Sequence, residues 1–184
     1  MDRENKNAGL VRGGLLFSEL LRFRVVDRAG AAARLRDIAI DPTVGEFPRV
    51  TCLIYRVAGQ DRHQLWDAVR PYWRYGRFEV DDLTGEPFSE ASELVLLRRD
   101  VLDASLIDTE HLQITRANDL WLHQLDAQLY LGAVDTSAVA VIRRIARGLL
   151  GHGAPKGLLD WKNVEYLRGK PELGAALADY HGEL

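Results

Sequence analysis

Five histidines, His63, His111, His123, His152 and His181, a single cysteine, Cys52, and a scatter of serines and carboxylates are the side chains of this sequence that could do chemistry. Zinc sites in short motifs draw paired ligands from within a few residues of each other. The histidines are spaced more widely than that, so any metal cluster would have to be assembled entirely by the fold. Cys52 lies in the apolar run Val50–Val57 with no Cys-His signature around it, which predicts a small buried hydrophobe rather than a nucleophile. There is no Gly-x-Ser-x-Gly elbow and no recognisable Ser, His and Asp arrangement. The stretch Gly151-His152-Gly153-Ala154-Pro155-Lys156-Gly157 places its Lys before the last Gly and lacks the following Ser or Thr, so it reads as a linker, not a phosphate loop. No catalytic residue, metal ligand or cofactor is assigned, and the chain is not expected to be an enzyme.

Recognition chemistry is better represented. Trp66, Tyr72, Trp73, Tyr75 and Phe78 are interleaved with Arg70, Arg74 and Arg77. Trp, Tyr and Arg are the usual anchors of protein interfaces. Trp66, Arg70, Tyr72, Trp73, Arg74 and Tyr75 therefore form the candidate partner-binding set. The competing reading is that Trp66 and Phe78 fill a core while Tyr72 and Trp73 cover a connection.

The bulk properties narrow the classes of partner. In 184 residues, 24 basic and 27 acidic side chains give a net charge of −3, which leaves no excess positive field for nucleic acid or an anionic membrane. No run approaches the roughly 20 apolar residues of a membrane-spanning helix. Met1 to Asn7 is too polar to open a signal peptide. The expectation is a cytoplasmic protein without direct membrane insertion and without nucleic acid as a partner.

The elements that must position these residues are mainly strands. Phe23–Val26, Arg36–Ile40, Val50–Val57 and Arg77–Val80 mass or alternate apolar residues between turn signals such as Asp27-Arg28-Ala29-Gly30 and Ala58-Gly59-Gln60-Asp61. Both alternating sets of Val50–Val57 are largely apolar, which predicts a strand covered on both faces. The rhythm resumes with Leu94–Leu97, Ser105–Ile107, a longer stretch through Leu112, Ile114, Leu120 and Leu122, then Gln128–Val134 and Leu158–Trp161. One helix interrupts it over about 137–150. Ser137 caps it, and Val139, Ile142, Ala146 and Leu149 fall at helical spacing, a stripe expected to cover the strands. A second helix is expected from Pro171 to about Tyr180.

A repeat underlies this order. Val25-Val26-Asp27 matches Leu106-Ile107-Asp108 at an offset of 81 residues (108 − 27), and Arg34-Leu35-Arg36-Asp37-Ile38 matches Arg116-Ala117-Asn118-Asp119-Leu120 at 82 (119 − 37). Ahead of them stand Ser18-Glu19-Leu20-Leu21 and Arg99-Asp100-Val101-Leu102, each able to make one helical turn. Downstream, Trp66-Asp67-Ala68-Val69 answers Trp161-Lys162-Asn163-Val164 at 95 (161 − 66), the increase matching the helix and Gly-rich loop inserted in the second copy.

These residues resemble the PRC-barrel modules, whose units open with a short helix, a strand ending in Val-Asp, a Gly turn and a strand with an Arg-x-Asp or Arg-x-Asn-Asp entry. The stretch from about Leu16 to Leu167, and RRDVLDASLIDTEHLQITRAN over 98–118 above all, looks like the tandem PRC-barrel region of MgtE-type, CBS-containing magnesium transporters. The resemblance implies a mainly β chain of two small PRC-barrel-like β-barrels in tandem, the second with an inserted helix, followed by a C-terminal helix. The expected division is an extension over 1–15, modules over 16–92 and 93–168, and a helical tail over 169–184. Ala33 stands where the family often has a second Gly, and Glu110-His111 stands where its turn Gly is usual, which implies a different turn or a His at positive φ.

The transporter resemblance also invites a magnesium reading of Asp100, Asp103, Asp108 and Asp119, since hard cations take oxygen ligands. Structural uses are favoured: a cap for Asp100, a hairpin turn for Asp108 and backbone bonds for Asp119. The resulting expectation is a non-catalytic regulatory or protein-interaction module, the cytosolic part or a stand-alone relative of a magnesium transporter. Its partners would be another protein, further transporter domains or a second copy of the chain. The alternative is an RNA-processing adaptor, because a PRC-barrel also serves a ribosome-maturation factor in binding a ribosomal protein.

Overall fold

The computed structural model describes residues 14–43, 45–89, 94–145 and 157–166. The expected tail helix, the Gly-rich stretch before Gly157 and the end of the inserted helix lie outside the described residues.

The chain is mainly β. β1 (Leu15–Leu16) runs directly into α1 (Phe17–Leu20), a single helical turn. β2 (Arg24–Val26), β3 (Ala32–Asp41), β4 (Arg49–Val57) and β5 (Gln60–Leu65) follow as an antiparallel meander. A 3-10 turn at Trp66–Ala68 leads to β6 (Arg70–Tyr72), and another at Trp73–Tyr75 leads to β7 (Arg77–Glu79), which returns parallel to β2. β8 (Glu86–Pro87) pairs with β5. β9 (Val95–Leu96) then opens into a π-helical turn, Leu97–Val101. β10 (Ser105–Asp108), β11 (Gln113–Arg116), β12 (Asp119–Leu125) and β13 (Gln128–Asp135) precede α2 (Ala138–Ile145). β14 (Leu158–Asp160), a 3-10 turn at Trp161–Asn163 and β15 (Val164–Glu165) complete the order.

Twelve of the strands form one curled sheet in which β12, β13, β4, β3 and β2 are successive neighbours; β11, β10 and β15 form a second, smaller one. β4 is at the centre, paired with β3, β5 and, at Arg49, β13. Its two apolar faces are both used. Leu53 and Tyr55 join the main core with Phe17, Leu20, Phe78, Leu106 and Leu120, while Cys52 and Ile54 pack with Ala39 and Leu96 on the other side. The polar run of β5 carries little strand signal of its own; a turn at Ala58 (φ 48) and Gly59 (φ 83) folds it back onto β4. Two successive positive φ angles give the hairpin turn whose twist matches its strands.

Two contacts tie the distant parts of the chain together reciprocally. β1 pairs with β12, whereas β9 pairs with β3, so each short strand adds to the sheet of the other sequence copy. The Arg-x-Asp motif supplies the lock. Asp119 on β12 accepts hydrogen bonds from the Ser18 amide (3.1 Å), the Ser18 hydroxyl (2.6 Å) and the Leu120 amide (2.9 Å). Asp37 on β3 accepts from the Arg98 (2.7 Å), Arg99 (3.1 Å) and Ile38 (2.8 Å) amides. Each carboxylate thus satisfies the otherwise unpaired first amides of the helical turn that enters from across the seam.

One local expectation is corrected and one open alternative is decided. The stretch through Leu112, Ile114, Leu120 and Leu122 does not run as one strand. It breaks at Ala117-Asn118, where the Asn118 side chain donates to the Thr136 and Ser137 carbonyls, and β11 and β12 belong to different sheets. In the hairpin between β10 and β11 the left-handed residue is Leu112 (φ 51), not His111. Asp108 makes this turn possible by accepting the Glu110 and His111 amides at 3.0 and 3.1 Å.

Candidate functional site

The aromatic set divides in space. Trp66 is 5% exposed, its ring lies edge-on to Phe78 at 5.9 Å, and its indole N–H donates to the Ala127 carbonyl at 3.0 Å. It is a core residue. Trp73 is half-buried over Phe23 and Phe78, with ring centroids 6.3 and 5.8 Å away. Tyr72 and Tyr75 are the exposed members, at 39% and 67%. The Arg77 guanidinium sits 5.3 Å from each of their ring centroids and pairs with Glu79 at 2.6 Å. Arg70 pairs with Asp81 at 3.2 Å. Arg74 belongs to the turn Trp73–Tyr75, and its side chain lies outside what is described. Of the expected set, Tyr72 on β6 and Tyr75 in the turn Trp73–Tyr75 are exposed and are joined by Arg77 of β7, which lay outside that set; β6 stands at the end of its sheet path.

Helix α2 carries a second surface, which the sequence reading turned the wrong way. Ser137 does cap the helix, its hydroxyl accepting the Ala140 amide at 3.3 Å while donating to Asp135 at 2.6 Å. Of the stripe expected to cover the strands, Val139 and Ile142 instead face outward, as does the neighbouring Ile145, all more than half exposed, while Ala146 and Leu149 lie outside the described residues. Inward go Ala140, Arg143 and Arg144. Arg143, at 11% side-chain exposure, bonds the fully buried Asp135 at 3.1 Å, and Arg144 grips both oxygens of Asp103 at 3.0 and 3.1 Å. Breaking a buried ion pair leaves an uncompensated charge. The buried Arg143–Asp135 pair therefore favours this rotation of α2, and the more exposed Arg144–Asp103 pair adds to it.

The remaining chemical candidates are occupied structurally. Cys52 is buried, and desolvation pushes its thiol up to about 11, away from the thiolate that nucleophilic chemistry needs. Asp100 accepts the Leu96 amide at 2.7 Å and pairs with Arg99. Asp103, Asp108 and Asp119 are the carboxylates already described at α2, the hairpin and the seam. Among the described residues no group of three or more His, Cys, Asp or Glu side chains could hold a metal ion. His63 and His123 lie in strands, His123 stacked on Tyr130 at 5.5 Å.

Burial raises the Asp37 carboxyl from 3.8 to about 6, against the lowering pull of the Arg98, Ile38 and Arg99 amides. The folded protein thus binds this proton more tightly than the unfolded chain does. Stability from the group is fully present below its ordinary value and is lost as pH rises through about 6. Burial raises Asp119 as well, whereas the Arg56 guanidinium lowers Asp61, so a bare pH profile sums opposing contributions. The informative quantity is the difference from Asp37→Asn. In denaturant unfolding between pH 7 and 5 the wild type should gain about 1.3 kcal/mol relative to the variant. Parallel profiles would show that Asp37 does not titrate in this range.

Among the described residues no helix is long and apolar enough to cross a membrane. Comparison of the whole chain with known protein families, with curated proteins and with solved structures returns no match.

Proposed function

We propose that this chain is a non-catalytic regulatory or protein-interaction module of the cytoplasm, built from two PRC-barrel-like units and related to the cytosolic region of MgtE-type magnesium transporters. The two-unit part of the reading is supported by the reciprocal seam. Strand, helical turn, buried Asp and Trp-led 3-10 turn occur twice in the same order, and each copy lends its first strand to the other.

The interaction part rests on one observation, the orientation of α2. A short helix fixed by two Arg–Asp pairs, with Val139, Ile142 and Ile145 held outward, is a rigid apolar ridge on a charged protein. Helix-in-groove recognition reads such i, i+3 anchors. The partner that fits is a protein presenting an apolar groove. The buried carboxylates support a non-catalytic reading, because Asp37, Asp108, Asp119 and Asp135 each accept bonds that hold the fold.

The test is an Ile142→Asp variant of the full chain, cross-linked in its native cytosol beside the wild type. Ile142 is more than half exposed, so unfolding should change by less than about 0.5 kcal/mol. A cross-linked protein partner should be retained by wild type and weakened at least about tenfold in the variant. Equal capture by both proteins would remove α2 as the contact surface.

A further inference from the structure

A cleft of about 840 Å³ opens between the end of α1, β3, the turn Leu97–Val101 and α2, and four arginines line it: Arg22 just after α1, Arg34 on β3, Arg98 in the turn and Arg144 on α2. The chain as a whole is acidic, so this concentration of positive charge runs against its average. One lining carboxylate, Asp103, is already neutralised. Arg144 holds it through two bonds of 3.0 and 3.1 Å, and Arg116 lies 3.7 Å away. Arg22, Arg34 and Arg98 are exposed and have no ion-pair partner within 4 Å among the described residues, so three arginine side chains free of a direct ion pair line one space, although Arg98 also feels the Asp37 carboxylate.

Charge and shape limit the occupant. A guanidinium fork matches phosphate oxygens two at a time, and three such forks exceed what a single carboxylate or halide can satisfy. The volume falls within the range of about 300 to 1,000 Å³ usual for small-molecule sites. Leu21 and Leu102 add a small apolar patch beside the charges. Nucleic acid fits poorly, because among the described residues no aromatic side chain lines the cleft to stack a base and the chain's net charge is −3. We propose that this cleft binds a small molecule bearing a chain of two or more phosphate groups, with Arg22, Arg34 and Arg98 as its ligating cations and Arg144 and Asp103 as the fixed wall. The site lies at the seam where the two sequence copies exchange strands. It is independent of the proposed interaction role, since its ligands lie apart from the outward ridge of α2.

The experiment is calorimetric titration of the full chain with sodium tripolyphosphate at about 0.15 M salt, where exposed charges are screened beyond roughly 8 Å. One saturable site is expected, with Kd on the order of 10 µM and orthophosphate at least about tenfold weaker. The Arg34→Ala/Arg98→Ala variant should bind at least about thirtyfold more weakly, and Arg22→Ala about tenfold more weakly. Arg28→Ala, which removes an exposed pair with Asp81 instead, should match wild type. Thermal unfolding of each variant establishes that it is folded. ATP serves as the second arm: binding at least about tenfold tighter than tripolyphosphate assigns the phosphates to a nucleotide, and equal binding assigns them to an inorganic chain. Absence of saturable heat with millimolar tripolyphosphate, or unchanged affinity in the folded double and single variants, overturns the site.

Discussion

Asp119→Ala should destabilise the protein by about 3 kcal/mol, although Asp119 lies outside both candidate binding surfaces. Its carboxylate is fully buried and receives three donors, the Ser18 amide and hydroxyl and the Leu120 amide. Alanine would leave those donors facing an apolar interior, and leaving a buried polar group unpaired costs about 1 to 3 kcal/mol each before relaxation. The loss also falls on the seam, because the Ser18 amide heads α1 just after β1, and β1 is held to β12 by only two residue pairs. Part of the cost is offset because burial already disfavours the ionised carboxyl and raises its pKa. Asp119→Asn keeps one acceptor and should lose less than half as much. Chemical denaturation of the two variants measures this directly. A loss below about 1 kcal/mol for the alanine variant would mean that the seam is held by its apolar contacts alone.

Trp66→Ala should cost about 4 kcal/mol, in the range found when a large buried aromatic is truncated. Trp66 fills the space beside Phe78 and is anchored by its bond to the Ala127 carbonyl, between β12 and β13. One side chain therefore ties the 3-10 turn after β5 to the hairpin of the second sequence copy. Removing it opens a cavity and orphans an acceptor together. Tyr75→Ala, from the same cluster but 67% exposed, should change stability by less than about 0.5 kcal/mol. Unfolding curves for the pair separate the core part of the aromatic cluster from its surface part. If Trp66→Ala unfolded like wild type, the expected role of Trp66 as a contact residue would return.

Strand positions were legible because strand signals are local. Alternation and β-branched runs placed β2, β3, β4, β10 and β13 within a few residues, and the doubly apolar pattern of Val50–Val57 identified the strand that is buried on both faces. The repeated Arg-x-Asp entry and the paired Trp-led segments were equally visible. Both tryptophans take the same 3-10 conformation and both are buried. The orientation of α2 was not legible. Helical spacing says which residues share a face, but which face turns inward depends on Asp103 and Asp135, and the fold alone brings Asp103 to the helix.

The same limit applies more strongly to the sites. Arg22, Arg34, Arg98 and Arg144 are separated by up to 122 residues (144 − 22) and form no motif, so no sequence window contains the cleft they share. The sequence by itself determined a mainly β chain, an internal repeat and the carboxylates at each repeat's strand entry, because periodicity and residue type act over a few neighbours. The tertiary structure decided that those carboxylates, Asp37 and Asp119, cap the opposite copy's helical turn instead of their own. It also decided that Arg22, Arg34 and Arg98 of an acidic chain meet at that seam, because long-range pairing across the sheet determines which distant side chains meet.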